Sequence, residues 1–273
     1  MSERTTYVMG HTDRERQRLS LQAGLVNPLT NSFLRRAGIS AGMHVLELGC
    51  GVGEVSLMAA RLVGPHGSVH SIDLDPVALE IARARVKSAG HTHVCFELVD
   101  VDDLQPAREY DAVIGRYILL HIPDALGVLR RAVSMVHTGG VIAFQEQDLS
   151  SFPRGYPEMP LMFRIQELIC EFFRRAVVHA NIGMRLPSLM QEAGLPPPEC
   201  RAESLIEGGS HSLLYEWLAE TVRSLLPAME TLGIITAASI DIDTLEVRLR
   251  QESLDTRGFA VISVMIGAFA RKP

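Results

Sequence analysis

Val45-Leu46-Glu47-Leu48-Gly49-Cys50-Gly51-Val52-Gly53, followed by Val69-His70-Ser71-Ile72-Asp73-Leu74-Asp75-Pro76, is the stretch that decides the fold. A short apolar run ahead of a glycine cluster reads as a parallel strand covered on both faces, and Gly49, Gly51 and Gly53 let the backbone turn tightly against a ligand. A helix and a second strand follow, the strand ending in an acid. Asp73 then stands at the C-terminal end of that strand, where open parallel sheets bind ligands and where a carboxylate accepts both hydroxyls of a ribose. The spacing disfavours a dinucleotide. A G-x-G-x-x-G fingerprint begun at Gly49 needs glycine at position 54, where Glu54 stands, and one begun at Gly51 needs it at position 56, where Ser56 stands. Glu54 also puts a negative charge at the helix N-terminus, where a pyrophosphate belongs.

Further motifs follow in order. Phe96-Glu97-Leu98-Val99-Asp100-Val101-Asp102-Asp103-Leu104 reads as a third strand with an acidic turn, and Tyr110-Asp111-Ala112-Val113-Ile114-Gly115-Arg116 as a fourth strand. Leu120-His121-Ile122-Pro123-Asp124, a helix, and His137-Thr138-Gly139-Gly140-Val141-Ile142-Ala143-Phe144 complete the series. In this order over residues 45–147 the chain resembles the class I S-adenosylmethionine (SAM)-dependent methyltransferases. The resemblance implies an α/β fold with a doubly wound, seven-stranded, mostly parallel Rossmann-like sheet. It also implies SAM as cofactor and S-adenosylhomocysteine as product.

Length and charge agree with such a unit. The chain has 273 residues, 47% of them apolar, which suits one α/β domain with an elaboration. A net charge of -6 argues against nucleic acid as partner, which normally needs a basic face. Four cysteines lie scattered without C-x-x-C spacing, the N-terminus has no apolar signal core, and no segment is long enough to span a bilayer. A cytoplasmic protein with reduced thiols is expected, a monomer or homodimer with neither nucleic acid nor membrane as partner. Cys50, inside the glycine turn, reads as a small side chain close to the ligand rather than as a nucleophile.

Thr12 and Glu15 have capping-box spacing, so a helix is expected up to Asn27-Pro28, where proline should stop it, with a second helix over 29–37. The region resembles a subgroup of bacterial small-molecule methyltransferases through Tyr7, Gly10, Glu15, Arg18, Leu19 and Gln22. That likeness implies Tyr7 and Gln22 closing over the methionine end of SAM; the other reading is an amphipathic helix packed on the core. Asp75 and Pro76 open a helix over 77–88, and Leu126, Leu129, Val133 and Val136 give a later helix its stripe. After Asp148 the alternation breaks. A helix over 161–180, a sixth strand over 200–207, helices over 212–225 and 243–252, and a last strand within 258–271 are expected. The domain is then single over 1–273: an N-terminal helical lid at 1–40, a SAM-binding core at 41–150, and helical cap insertions at 152–182 and 208–257.

Methyl transfer from a sulfonium needs no metal and no covalent nucleophile, so the residues' work is alignment and exclusion of water. By resemblance, Gly49, Cys50, Gly51 and Gly53 approach the methionine part, with Glu47 addressing its ammonium and the helix N-terminus its carboxylate. Asp73 holds the ribose, Leu74 packs on the adenine, Asp100 accepts from the adenine amino group and the Val101 amide donates to the ring. Asp102 and Asp103 read as a solvated turn. Arg116 has three open readings: a carboxylate of SAM, an acidic substrate, or a brace for Glu47 or Glu146. Tyr117 lines the same cleft. A hydroxyl acceptor with a pKa of about 10 profits from a base, and His121, His211 and Glu146 are the candidates, each also readable as a structural or solvated polar group. His91 and His93 sit in a loop without ligand partners, so no metal is expected. The residues after the fourth strand, Gly115-Arg116-Tyr117-Ile118, are not the N/D-P-P-Y/F/W of enzymes acting on nucleic-acid bases or glutamine, and the double-glutamate loop of arginine methyltransferases is absent. The expected reaction is transfer of a methyl group to an oxygen, or to nitrogen or carbon, of a small metabolite. The alternative is a non-catalytic SAM-binding regulator or partner subunit.

Overall fold

The computed structural model describes residues 13–105, 109–150, 155–177 and 179–273. Contacts divide the chain into two compact units, one of residues up to Val26, Asp148–Asn181 and Glu203–Val264, the other of Asn27–Gln147, Ile182–Ala202 and Met265–Pro273. The second carries the sheet.

In chain order the elements are α1 (Asp13–Arg36), β1 (His44–Leu48), α2 (Glu54–Val63), β2 (Ser68–Asp73), α3 (Pro76–Ser88), β3 (Val94–Leu98) and β4 (Tyr110–Arg116). A 3-10 turn at Leu119–His121 leads to α4 (Ala125–Met135) and β5 (Val136–Asp148). Then come α5 (Pro160–Ala176), α6 (Ile182–Glu192), β6 (Glu199–Glu203), β7 (Ile206–Gly208), α7 (Leu214–Thr231), α8 (Ala237–Ile240), α9 (Leu245–Thr256), β8 (Phe259–Val261) and β9 (Val264–Arg271). Seven strands form one sheet in the order β3-β2-β1-β4-β5-β9-β6, and the pairs β1/β2, β2/β3, β1/β4 and β4/β5 are parallel. This is the doubly wound sheet expected. Strand order reverses between β1 and β4, and a crevice opens at such a point beyond the strands' C-terminal ends.

Residue parity fixes which side chains share a face. Val45 of β1, Val69 of β2, Ala112 and Ile114 of β4, and Val141 and Ala143 of β5 pack in one cluster with Phe33 and Leu34 of α1, Ala37 just after it, and Val55, Met58, Ala59 and Val63 of α2. By alternation Glu47, Ser71, Arg116 and Gln145 lie on that same face, at its ligand edge. Leu46, Leu48, Val113, Ile142, Phe144 and Glu146 have the opposite parity and are fully buried. The sheet is covered on both sides.

Four local expectations are corrected. Pro28 lies inside α1 rather than ending it; the ring costs a hydrogen bond and crowds residue i-4, but that residue is Gly24, and Leu25, Val26, Phe33 and Leu34 are buried on either side. The stripe of α4 is Ala125, Val128, Leu129, Ala132 and Met135, with Leu126 and Val133 only half-buried. The expected sixth and last strands each break in two. Ile262 donates to the Leu205 carbonyl at 3.0 Å and the Ser204 hydroxyl to the Ile262 carbonyl at 2.7 Å. Beyond that crossing β7 pairs antiparallel with β8, as a ribbon separate from the main sheet.

The ribbon belongs to the first unit with α5, α7 and α9. There the Glu252 carboxylate accepts the Leu161 and Met162 amides, both at 2.8 Å, which satisfies open donors of the α5 N-terminus. Tyr215 is fully buried, its hydroxyl donating to the Gly209 carbonyl at 2.9 Å and lying 2.8 Å from the Ser253 hydroxyl. No described helix is long and apolar enough to cross a membrane.

Candidate functional site

The sheet's C-terminal edge gathers one functional group from each strand end. After β1 the chain turns through Gly49, Gly51 and Gly53 with φ of 65°, 50° and 81°, the left-handed region that favours glycine. At Gly49 space matters as well: a Cβ there would lie 2.6 Å from the Ile118 Cδ1. Over Gly51 a Cβ would meet nothing within 4 Å, so the turn presents open space. Cys50 is buried, and burial pushes its thiol up, with the Glu47 and Asp73 charges adding to the effect. It stays a thiol.

Asp73 ends β2 and locks the turn. Its Oδ2 accepts the Gly51 amide at 2.7 Å and its Oδ1 the Asp75 amide at 2.9 Å. Leu74, beside it, is 63% exposed, an apolar side chain held in solvent at the edge of the crevice. Beyond β3 the Asp100 Oδ1 accepts the Asp102 amide at 3.0 Å, and Val101 is buried while Asp102 and Asp103 are exposed. Glu54 opens α2, where its Oε2 accepts from Asn27 Nδ2 at 2.9 Å and its Oε1 pairs with Arg85 of α3.

Glu47 is 2% exposed, and its Oε2 takes the hydroxyls of Ser56 at 2.5 Å and Ser71 at 2.6 Å. Burial raises its pKa to about 7, against the hydrogen bonds and the Arg116 charge, which lower it. The carboxylate ties α2 to β2 as well as facing the turn; sequence reading did not single out Ser56 and Ser71. Arg116 is half-buried and stacks on the Tyr117 ring, 5.7 Å from its centroid. Its Nη1 donates to Asn27 Oδ1 at 2.9 Å and Thr30 Oγ1 at 3.1 Å. The brace for Glu146 is thereby excluded by parity, since Glu146 lies on the other face.

On that other face Glu146 is fully buried, with Oε1 accepting the Ile118 and Leu119 amides at 3.0 and 2.9 Å. Burial raises its pKa to about 8, opposed by those backbone donors. Its Oε1 is taken up in holding the turn after β4, and its Oε2 is buried without a hydrogen-bond partner among the described residues. The turn needs holding because Tyr117 adopts φ 58°, rare for a side chain of its size. Gly115 completes the fit, since a Cβ there would lie 2.5 Å from the Phe144 ring.

Of the remaining candidates, His121 is half-buried on the 3-10 turn that Glu146 anchors. His211 is exposed and belongs to the other unit, as does Gln22, which is buried and accepts from Arg18 Nη1 at 2.7 Å. Tyr7 lies outside the described residues. His93 contacts the Ala60 carbonyl at 3.0 Å, and among the described residues no three potential metal ligands gather.

A family model described as a methyltransferase domain matches residues 39–194, more than half of the chain and the whole run from β1 to α6. The chain belongs to the methyltransferase domain family. This methyltransferase domain is 38% identical over 104 residues to aklanonic acid methyltransferase DauC of Streptomyces sp. (strain C5), covering 38% of the chain and 47% of that relative. It is 33% identical over 121 residues to a ubiquinone biosynthesis O-methyltransferase of Thiobacillus denitrificans, covering 44% and 50%. The chain thus spans about half the length of these curated relatives. The solved YcgJ protein of Bacillus subtilis shares the fold, with a TM-score of 0.57 at 17% identity over 88% of this chain and 97% of that one.

Proposed function

We propose that this methyltransferase domain binds SAM at the crevice edge and moves its methyl group to an oxygen, or to a nitrogen or carbon, of a small metabolite. The observation that carries the reading is the trio of Gly49–Gly53 turn, Asp73 and Asp100, each following one of three adjacent parallel strands. The residues fit a nucleoside. Asp73 has two lone-pair directions taken by backbone amides, and a carboxylate offers about four, which leaves two for ribose hydroxyls. Exposed Leu74 offers an apolar surface for the base, and the space over Gly51 admits the chain that leads from the ribose.

When bound, SAM supplies a methyl group already activated by a sulfonium. The protein's share is then to hold the groups in line and to keep water out, effects that reach roughly 7–11 kcal/mol for well-oriented reactants. Asp100 and the Val101 amide orient the base, Asp73 the ribose, and the turn the remainder. His121 is the proton acceptor we assign to a hydroxyl substrate, since it sits on the turn next to the site and Glu146 is enclosed. One of these curated relatives is named for aklanonic acid and the other for O-methylation in ubiquinone biosynthesis. We place acceptor choice in the segments 152–182 and 208–257, the second of which lies outside the stretch that the family model matches. A cytoplasmic monomer or homodimer, with neither nucleic acid nor membrane as partner, is part of the same proposal. Calorimetric titration with SAM and with S-adenosylhomocysteine tests it: both should bind one to one, and binding of neither would refute it.

A further inference from the structure

A groove of about 520 Å³ runs between the outer sides of α1 and α2, within the unit that carries the sheet. Residue spacing explains it. Pro28, Ser32 and Arg35 stand at i, i+4 and i+7 on α1 and are exposed, whereas Phe33 and Leu34 turn inward to the core. Met58 of α2, 3% exposed, gives the groove its floor, and Arg61, one turn further on, is exposed at its rim.

The arginine end of this groove is positive without a balancing acid. Arg35 Nε donates to Asn31 Oδ1 at 2.9 Å, which holds the guanidinium in place, and among the described residues neither Arg35 nor Arg61 forms an ion pair. Arg36, the next residue, is by contrast held by Glu199 at 3.0 Å. From Asn27 onward α1 contains no acid, and the one acid of α2, Glu54, stands at the opposite end, where Arg85 and Asn27 take its two oxygens. Both arginines lie in the last turns of their helices, where cations complement the macrodipole, but a helix end carries only about half a charge and a guanidinium a whole one. Arg61 also acts on its neighbour as an open charge: the His91 imidazole is held below its usual pKa by burial first, then by His93 and Arg61.

Charge and shape together select the ligand. Two guanidiniums offer forked N–H donors and two whole charges, which suit a doubly charged phosphate better than a single carboxylate, and the Ser32 hydroxyl stands beside them. Met58 and the Pro28 ring supply an apolar wall for the rest of the molecule. Along α1 the groove extends only from Asn27 to Arg35, about 12 Å of helix. That is room for a small molecule, whereas a stably docked protein covers roughly 800 Å² of its partner. We propose that the groove between α1 and α2 binds a small organic phosphate monoester, its phosphate between Arg35 and Arg61 and its apolar part on Met58 and Pro28. The site is separate from the one proposed for SAM and does not rest on it.

Calorimetric titration of the full chain with phenyl phosphate, at low ionic strength and mildly alkaline pH where the monoester is doubly charged, tests the site. It should bind one to one, at least about fivefold more tightly than inorganic phosphate, which lacks the ring, or benzoate, which has one charge. Arg35→Gln and Arg61→Gln should each weaken it by about tenfold with no change in melting temperature, and saturating S-adenosylhomocysteine should leave it unchanged. No binding of phenyl phosphate, binding that both variants retain, or displacement by S-adenosylhomocysteine overturns the site. Equal affinity for inorganic phosphate or for benzoate overturns the choice of ligand, as does tighter, arginine-dependent binding of an oligoglutamate peptide, which would make the groove a protein contact. Failure of S-adenosylhomocysteine to bind removes the proposed function and leaves this site to be judged by the two variants. The comparison of phenyl phosphate with inorganic phosphate uses only wild-type protein, so a variant that fails to fold does not protect the proposal.

Discussion

Glu146→Gln should make the protein's stability less sensitive to alkali while leaving its fold intact. The side chain is fully buried and its pKa is raised by burial from 4.5 to about 8. Native protein therefore holds one more proton than the unfolded chain between these values, so stability from this group is full below the unfolded pKa and is lost as pH rises towards the folded one. The slope is about 1.4 kcal/mol per pH unit where both conditions hold, and between about pH 5.5 and about pH 8.5 the loss integrates to roughly 3 kcal/mol. Glutamine has nothing to ionise. Its oxygen can still accept the Ile118 and Leu119 amides, so at the acid end the two proteins should be of similar stability. Glu47, with a pKa of about 7, titrates in the same window in both proteins and cancels in the difference. Urea unfolding at both ends of the range, followed by far-ultraviolet circular dichroism, measures it; fluorescence would not serve, because the single tryptophan, Trp217, lies in the other unit. The variant should gain on the wild type by about 3 kcal/mol from acid to alkaline pH. Parallel pH profiles would refute the reasoning, because they would mean that Glu146 is already ionised in the folded protein.

Three further outcomes follow from the site. Asp73→Ala removes the acceptor for the Gly51 and Asp75 amides and the proposed ribose ligand, so calorimetry should show SAM affinity reduced by roughly ten- to a hundredfold, and unchanged affinity would place the nucleoside elsewhere. Gly49→Ala combines a left-handed φ of 65° with a Cβ 2.6 Å from Ile118, and should lower unfolding stability by roughly 1–3 kcal/mol; a neutral result in thermal melts would contradict the packing described. Iodoacetamide at mildly alkaline pH should label exposed Cys95 and Cys200 while sparing Cys50, whose buried thiol resists ionisation; peptide mapping that finds Cys50 modified as fast as Cys200 would disprove this.

The parts of the site that follow directly from the chain are those whose physics is local. A glycine turn needs glycine where φ is positive, and an acid at a strand end is visible as such, so Gly49, Gly51, Gly53, Asp73 and Asp100 can be read from the order of the motifs. Residues that meet across elements cannot. Asn27 and Thr30 were hidden because the residue before a proline is biased out of helix, and the same dipeptide that signals a stop elsewhere is carried through here by burial on both sides of Pro28. The break of the last strands was hidden for a similar reason: Ser204 and Ile262 bond across 58 residues, and no periodicity within either segment reports it.

Strand parity explains why Gln145 and Glu146, neighbours at the mouth of β5, take different parts. Val141, Ala143 and Gln145 face α1 and α2, and Ile142, Phe144 and Glu146 face away, so one carries its amide to Thr30 and Arg116 while the other is enclosed beneath the turn after β4. Sequence alternation shows that the two differ, but not which side is which, because a register shift between Tyr110 and Ala112 decides how β5 meets β4. Had the register slipped by one residue, the acid would stand beside Arg116 and neutralise it. The irregularity between Tyr110 and Ala112 thus sets Arg116 beside Gln145 and leaves Glu146 on the opposite face.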